Sequence, residues 1–436
     1  MKIPETPPSL KAILKKKTDK ISDAIENDSI RNFIEQANKK YYHWEELRYR
    51  QLPKGTDPEI IWALMKVFRI QQYKEFRFGD MKFTYNLLDE ALRILHHLDQ
   101  ATAGHLQGMT AKLSMEGHEK YIVSSLMEEA IASSQLEGAA TTRKVAKRIL
   151  RLGTSPRNYS EQMIVNGYNT MKEIRKLRDR KLSPELICQI QQCITEDTLE
   201  NKKHEGAFRE DDNILVGDPI DIEKIYHTPP SYKKIPAMID KLCDFVNNDD
   251  MGFVHPIIKG IILHFLLGYI HPFYDGNGRT ARSVFYWFVL THGYWMFEFM
   301  AISRIILRSK KKYGLAYLYS ETDENDLTYF IRYNLEAIEE ALEDTEKYLA
   351  RKIEEQNQAL KLVDGRSDIN LRQAEILRGF IKHPNLRVRI QEIMNKFGVV
   401  YQTARSDLLH LEDLGHITKK RIGKKYLFQY TGDTNH

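Results

Sequence analysis

One stretch of the chain constrains its fold and chemistry more than any other: His271 to Arg282, His-Pro-Phe-Tyr-Asp-Gly-Asn-Gly-Arg-Thr-Ala-Arg. An apolar run, residues 257–270, leads into this stretch, and a second, residues 284–290, follows it. Glycines let consecutive backbone N–H groups converge on an anion. A helix that begins near Asn277 would add its positive end, where phosphate binds readily. The pattern predicts a phosphate cradle with a titratable base, His271, at its lip.

Two arginines complete this predicted cradle. Arg279 and Arg282 are three residues apart, so they share one face of a helix. A guanidinium group is forked and always charged, which suits it to bind phosphate oxygens.

Length and composition limit the number of domains and the class of protein. The chain has 436 residues, 42% hydrophobic and 29% charged, which allows two to four folded domains. No run of eighteen apolar residues occurs, which predicts no membrane helix, and the first twenty residues lack the apolar core of a signal peptide. The three cysteines, Cys188, Cys193 and Cys243, have no metal-ligand spacing. We therefore expect a cytoplasmic protein with reduced, buried thiols.

The net charge of +5 is distributed unevenly. Residues 370–436 hold twelve Lys/Arg and six Asp/Glu, a surplus of +6, so the remaining residues sum to −1. The C-terminal segment is therefore the part of the chain that is a candidate for binding nucleic acid.

The N-terminal third contains one unusual carboxylate. Residues 1 to about 40 are polar and lysine-rich, which predicts an extended arm with a short helix. Residues 120–136 predict a core helix with Glu128 and Glu129 facing outward, ended by Gly138. Glu137 then lies in the last turn, where the helix dipole disfavours negative charge. It is either solvated or paired with a cation from elsewhere, with Ser133 one turn before it.

A short segment upstream of the cradle has strand character. The sequence Lys-Ile-Tyr-His-Thr at residues 224–228 is prone to β-structure and is followed by two prolines. Such a segment could offer its edge to a peptide, as strand-addition sites do. A surface hairpin without a partner is the alternative.

The C-terminal segment predicts a helix, a helix-turn-helix and a hairpin, an order that resembles a winged helix. Its third helix would begin at Tyr401, where recognition helices reach base edges. Many winged helices instead dock proteins, so both interpretations stay open. The residues predicted to contact DNA are Gln402, Thr403, Arg405, Lys420 and Lys424.

With these residues in view, the stretch His271–Arg282 matches the Fic family signature, His-x-Phe-x-Asp/Glu-Gly-Asn-Gly-Arg-x-x-Arg. Ser133-x-x-x-Glu137-Gly138 resembles the Fic inhibitory motif, and the segment at residues 225–230 resembles the family's target-binding flap. The resemblance covers about residues 120–335. It implies a mainly α fold, with a Fic-type helical core and a small β-hairpin flap, joined to a C-terminal winged-helix domain.

The resemblance also implies roles for individual residues. His271 would remove the proton from a Ser, Thr or Tyr hydroxyl of a target protein, and Asp275 would hold Mg²⁺. Glu137, with Ser133, would pair with Arg282 and block seating of the ATP γ-phosphate. The ATP-binding residues would be Gly276, Asn277, Gly278, Arg279, Arg282 and Tyr313. The flap residues would be Ile225, Tyr226, His227 and Thr228.

The resulting hypothesis is an autoinhibited protein adenylyltransferase that uses ATP and Mg²⁺. Its predicted parts are an N-terminal arm and helical domain (1–118), a Fic core with inhibitory helix (119–335), a connecting helix (336–363) and a winged helix (364–436). One alternative is a DNA-binding regulator whose Fic domain senses nucleotide, and another is removal of AMP from a modified target. The sequence leaves open the target protein and whether the chain forms a homodimer.

Overall fold

The computed structural model of the chain describes residues 2–101, 115–217, 221, 224–248, 252–363, 368–422 and 425–431. Lys424, one of the predicted DNA contacts, lies outside the residues whose side chains are described. Helices dominate the fold, as the sequence predicts. Within the described ranges, no helix is both long and apolar enough to cross a membrane.

The molecule is organised around two helices, α11 and α12. Helix α11 (Pro256–Ile270) is buried on nearly all sides, because its residues are apolar around the whole circumference. Helix α12 (Asn277–Thr291) is almost as deeply buried and carries both arginines of the predicted cradle. The other described helices of the central unit surround this pair. They are α5 (Asp89–Gln100), α6 (Met115–Leu136), α7 (Arg143–Leu152), α8 (Tyr159–Lys176), α9 (Pro184–Thr195), α10 (Ile235–Asn247), α13 (Ile302–Arg308), α14 (Lys310–Thr322) and α15 (Thr328–Val363). All of them except α7 contribute to one apolar core. Ala146 and Leu150, which are buried residues of α7, pack in a smaller cluster with α6 and α8.

The prediction of an extended N-terminal arm is wrong. Residues 10–39 form two helices, α1 (Leu10–Glu26) and α2 (Asp28–Lys39), with Asn27 as the cap between them. The apolar residues of α1 and α2 are widely spaced, but they stabilise both helices because each packs into a core shared with α3 (Trp44–Leu47) and α4 (Pro58–Ile70). These buried residues of α1 and α2 are Ile13, Ile21, Ala24, Ile30, Ile34 and Ala37.

In the part of the chain that the structure describes, three small antiparallel sheets interrupt the helices. The hairpin β1 (Lys74–Phe78) and β2 (Met81–Tyr85) buries alternate aromatic residues, and its turn contains Gly79 at φ 63°. Strands β3 (Val216–Gly217) and β4 (Ile225–His227) pair, which confirms strand structure in the predicted flap segment. The third sheet has the order β5 (Arg387–Val388), β7 (Lys425–Tyr430) and β6 (Ile417–Ile422).

The third sheet belongs to a C-terminal unit with its own apolar core. Its helices are α16 (Leu371–Lys382), α17 (Ile390–Phe397) and α18 (Tyr401–Asp413). The long helix α15 begins at Thr328, so the segment 336–363 continues a helix of the central unit. Arg378 of the C-terminal unit pairs with Glu355 of α15 at 3.0 Å. The predicted domain boundaries themselves stay predictions.

The three cysteine thiols are free. Cys243 is buried, whereas Cys188 and Cys193 are half-buried, so the prediction of buried thiols is wrong for these two. Burial raises the pKa of the Cys188 thiol to about 11.

A buried ion pair joins α4 to the end of α14. Lys66 Nζ lies 2.9 Å from the Asp323 carboxylate, and both side chains are at most 5% exposed. The other oxygen of Asp323 accepts from the Tyr329 hydroxyl at 2.9 Å. Removal of one partner from such a pair leaves an uncompensated buried charge.

We expect Asp323→Ala to lower the free energy of unfolding by about 3–5 kcal/mol, because Lys66 loses its counter-charge. Urea unfolding followed by circular dichroism measures this. The control is Glu343→Ala, which removes an exposed pair with Lys347 and should change stability by less than about 0.5 kcal/mol. Equal, small losses for the two variants would contradict the expectation.

Candidate active site

His271 ends helix α11 in a left-handed conformation, φ 48° and ψ 58°, which is uncommon for a residue with a Cβ. Its Nδ1 lies 3.3 Å from the carbonyl oxygen of Gly268. A carbonyl accepts only, so Nδ1 carries the proton and Nε2 keeps a lone pair. Burial, above all, lowers the pKa of His271 to about 4. The imidazole is therefore neutral at pH 7 and able to accept a proton.

The loop after His271 is closed by Asn277. The Asn277 amide accepts from the backbone N–H of Phe273 at 2.9 Å and donates to its carbonyl at 2.7 Å. The ring of Phe273 is fully buried and packs near Phe208, at 5.2 Å between ring centroids. The side chain of Asn277 is therefore engaged within the loop, so only its backbone N–H would be available to an anion.

Asp275 and Arg279 hold the mouth of the cradle. Arg279 is 2% exposed and donates to the Ile194 carbonyl and to Asp275 Oδ2, both at 3.1 Å. Its Nε makes no hydrogen bond to any described residue. Asp275 also accepts from the Tyr159 hydroxyl at 3.3 Å, yet 42% of its side chain stays exposed.

Arg282 is held by the end of helix α6. The guanidinium is 3% exposed. Its Nη2 donates to Glu137 Oε1 at 2.8 Å and to the Ser133 carbonyl at 3.1 Å, and its Nε donates to Ser133 Oγ at 3.0 Å. The structure therefore brings together Ser133, Glu137 and Arg282, as the resemblance to the Fic inhibitory motif predicts.

The Glu137 carboxylate lies directly on the backbone of Gly278, in the first turn of α12. A Cβ added to Gly278 would lie 2.3 Å from Glu137 Oε1, so only glycine leaves this space. Burial raises the pKa of Glu137, but Arg282 outweighs that effect and the pKa ends below its ordinary value. The ion pair therefore stabilises the fold above about pH 4.3 and loses that contribution as pH falls through the lowered pKa.

Helix α6 is anchored along its length. Lys310 Nζ donates to the carbonyl of Leu136 at 2.7 Å and so satisfies an orphan group at the helix C-terminus. The prediction that Glu128 and Glu129 face outward is wrong, since both are buried. Glu129 accepts from the Tyr286 hydroxyl at 2.9 Å and from the Ser303 N–H at 2.8 Å.

Arg209 is a residue of this site that the sequence interpretation missed. It is 3% exposed, its N–H donates to the Pro272 carbonyl at 2.8 Å, and its Nε donates to the His271 carbonyl at 3.0 Å. Its Nη2 donates to the carbonyl of Pro230, beyond the flap strand. The side chain thereby links the loop of His271 to the flap. In the sequence, Arg209 is only a single arginine within a turn-rich stretch, and that pattern does not indicate a role in the site.

The flap strand is fixed to the site by His227. Nδ1 lies 2.8 Å from Glu321 Oε2, and Nε2 lies 2.8 Å from the Tyr269 carbonyl. Both partners accept, so both ring nitrogens carry protons and the ring is charged. Burial lowers the pKa of His227, but hydrogen bonding to Glu321 raises it, with a net increase. Ile225 and Thr228 are exposed and Tyr226 is half-buried.

Tyr313 lies close to Arg282, whereas the predicted DNA contacts that the structure describes lie in the C-terminal unit. The Tyr313 hydroxyl is 2.9 Å from His264 Nε2, beside Arg282 and within an aromatic cluster, so its contact with adenine stays a prediction. Gln402, Thr403 and Arg405 lie on α18, and Lys420 lies on β6, all in the C-terminal unit.

Residues 181–289 match the family model described as the Fic/DOC family, and this range contains the whole stretch His271–Arg282. This part of the chain is therefore a Fic/DOC-family domain. Glu137 lies outside the matched range.

Curated relatives share the same name. The chain is 25% identical over 117 residues to protein adenylyltransferase Fic of Drosophila willistoni (27% of this chain, 22% of that protein). It is 28% identical over 107 residues to that of Nematostella vectensis (24% and 23%), and 23% over 195 residues to that of Drosophila mojavensis (45% and 32%). The chain thus spans about a third or less of the length of these relatives.

A solved structure of C. elegans Fic-1 is similar in fold. It superposes with a TM-score of 0.50 at 17% identity and covers 72% of this chain and 82% of that chain. This likeness supports the fold alone.

We expect the two histidines of the site to differ in charge at pH 7. Nitrogen-15 NMR of ring-labelled protein should show His271 neutral, with a protonation midpoint near pH 4, and His227 with both nitrogens protonated. His271→Ala and His227→Gln assign the signals. Glu321→Gln should lower the pKa of His227, because it removes the facing carboxylate. A charged His271 at pH 7 would contradict the geometry.

Proposed function

We propose that this chain is a protein adenylyltransferase that transfers AMP from ATP to a hydroxyl of a target protein and is held at rest by Glu137. The observation that carries the proposal is the Glu137 carboxylate, seated on Gly278 and 2.8 Å from Arg282. A carboxylate at this position occupies the place of an anion at a helix N-terminus. The relatives named protein adenylyltransferase support ATP as the substrate.

In the proposed reaction, the target hydroxyl oxygen forms a bond to the α-phosphorus of ATP. The bond from that phosphorus to the bridging oxygen breaks, and pyrophosphate leaves. Nε2 of neutral His271 takes the hydroxyl proton, and a positioned base of this kind is worth about 10²–10⁴-fold in rate. Arg279 and Arg282 bind the outer phosphates, which requires that Arg282 exchange Glu137 for ATP.

The residues present fit a bound Mg²⁺. Asp275 offers a carboxylate oxygen at the exposed mouth of the cradle, the hard ligand that Mg²⁺ prefers. Within the described ranges, no group of three or more His, Cys, Asp or Glu side chains gathers as a metal site. One carboxylate suffices where substrate phosphates and waters supply the other ligands. The ion would neutralise charge on the phosphates.

The flap strand β4 would align the target segment beside His271. Ile225 in this strand and Thr228 directly after it are exposed, and the strand offers a short edge for a peptide. Arg209 and His227 fix this edge relative to the His271 loop, so the hydroxyl to be modified would be presented at a constant distance.

We expect Glu137→Gly to raise self-labelling by α-labelled ATP roughly 10- to 100-fold, because a charge-assisted hydrogen bond is worth about 1.5–3 kcal/mol. Radiolabel incorporation followed by mass spectrometry measures this. Glu26→Gly is the matched control, since Glu26 also lies at a helix end, is exposed and is remote from the site.

The second arm is His271→Ala in the Glu137→Gly background, which should lose label about 10²- to 10⁴-fold because the base is gone. Absence of labelling of any protein by Glu137→Gly would sink the assignment. Release of AMP from a labelled target by the wild-type chain would instead assign Glu137 to AMP removal.

A further inference from the structure

A basic groove of about 640 Å³ lies between helix α7 and the C-terminal sheet, in a region to which the proposed transferase reaction assigns no role. Helix α7, Arg-Lys-Val-Ala-Lys-Arg-Ile-Leu-Arg-Leu, supplies five cations and no acid. The C-terminal unit adds Arg387 and Arg389. Glu392 is the one carboxylate among the described residues that line the groove. We call this feature the basic groove.

Most of these cations form no salt bridge within the part of the chain that the structure describes. Arg143 pairs with Glu128 at 2.5 Å, and Lys147 pairs with the same carboxylate. Lys144, Arg148 and Arg151 on α7, and Arg387 and Arg389 opposite, make no salt bridge to any described residue. Glu392 attracts Arg148, Arg151 and Arg389, but one carboxylate does not neutralise five facing cations, which repel one another.

The position of two cations is also unfavourable for the helix. Thr142 caps α7, and Arg143 and Lys144 follow it in the first turn, which contains no acidic residue. The positive end of a helix disfavours cations by about 0.3–1 kcal/mol each. The pair with Glu128 offsets this cost for Arg143, but Lys144 makes no such pair with any described residue.

The sheet turns a matching face toward α7. Leu427 lines the groove, and its cross-strand partner is Lys420. Arg387 pairs with Gln429, two residues from Leu427, so Arg387 and Lys420 share the face of Leu427. Phe428 points the other way, into the core of the C-terminal unit.

We propose that the basic groove binds the phosphodiester backbone of a nucleic acid, with α7 and the C-terminal sheet contributing jointly. Arginines dominate the uncompensated cations, and their planar forks match phosphate oxygens. Leu152 and Leu427 are the apolar residues among the described lining, which offers a peptide little to anchor on. Gln402 and Arg405 are exposed on α18 of the same unit, where base edges could be read.

The test is fluorescence anisotropy of the full chain with a labelled DNA duplex, and in a parallel arm with a labelled single-stranded RNA, each at several salt concentrations. We expect the triple variant Arg148→Glu, Arg151→Glu, Arg387→Glu to bind at least about tenfold more weakly. The slope of log K against log salt should flatten by about 0.9 for each DNA phosphate that the variant no longer neutralises, or by about 0.7 for single strands. The arm that binds more tightly identifies the nucleic acid.

The matched control reverses Lys11, Lys15 and Lys16, three exposed lysines of α1 without a salt bridge to any described residue, and should bind as the wild type does. A second variant, with glutamine at the same three arginines, keeps the test valid if charge reversal impairs folding. Wild-type affinity in both groove variants, or no binding by the wild type, would overturn the proposal. Equal competition by polyglutamate would also overturn it, in favour of an acidic protein partner. Self-labelling with ATP is an independent readout, so failure of either proposal leaves the other intact.

Discussion

The site depends on one constraint, the buried guanidinium of Arg282. At 3% exposure this group cannot be satisfied by water, so the fold must bring an anion or several acceptors to it. Helix α6 does so with its last turn, through Ser133 and Glu137. Everything that orients α6, including Lys310 at its C-terminus and Glu129 in its middle, therefore also positions the groups that pair with Arg282.

The candidate site could be located from the sequence because most of its residues are consecutive, while its role in binding phosphate stays a prediction. His271, the glycines and both arginines lie within one stretch, and the helix begins at Asn277 as predicted. The pairing of Glu137 with Arg282 came from the resemblance, since no local pattern links residues 145 positions apart. Arg209 could not be recognised from the sequence for the same reason: its partners are backbone carbonyls of residues far from it in the chain.

The errors elsewhere have physical causes. Helices α1 and α2 were missed because their apolar residues are sparse, and a shared core, not their own periodicity, stabilises them. Glu128 and Glu129 were placed outward because charge usually indicates a solvated face. Their burial is compensated by Arg143 and Lys147 in one case and by Tyr286 and Ser303 in the other. The partners of Glu128 come from the next helix, and those of Glu129 lie more than 150 residues away in sequence.

The geometry of Glu137 argues for a contact that can be released. Its carboxylate lies past the C-terminus of α6, where the helix dipole disfavours negative charge, and about 35% of its side chain is exposed. If ATP replaces Glu137 as we propose, Arg282 would be desolvated with either anion, so its desolvation cost would be common to both states. The competition then depends only on the difference between a half-solvated carboxylate and a phosphate at the N-terminus of α12. Under the proposed function, a movement of α6 that weakens the contact of Glu137 would shift this balance toward the phosphate.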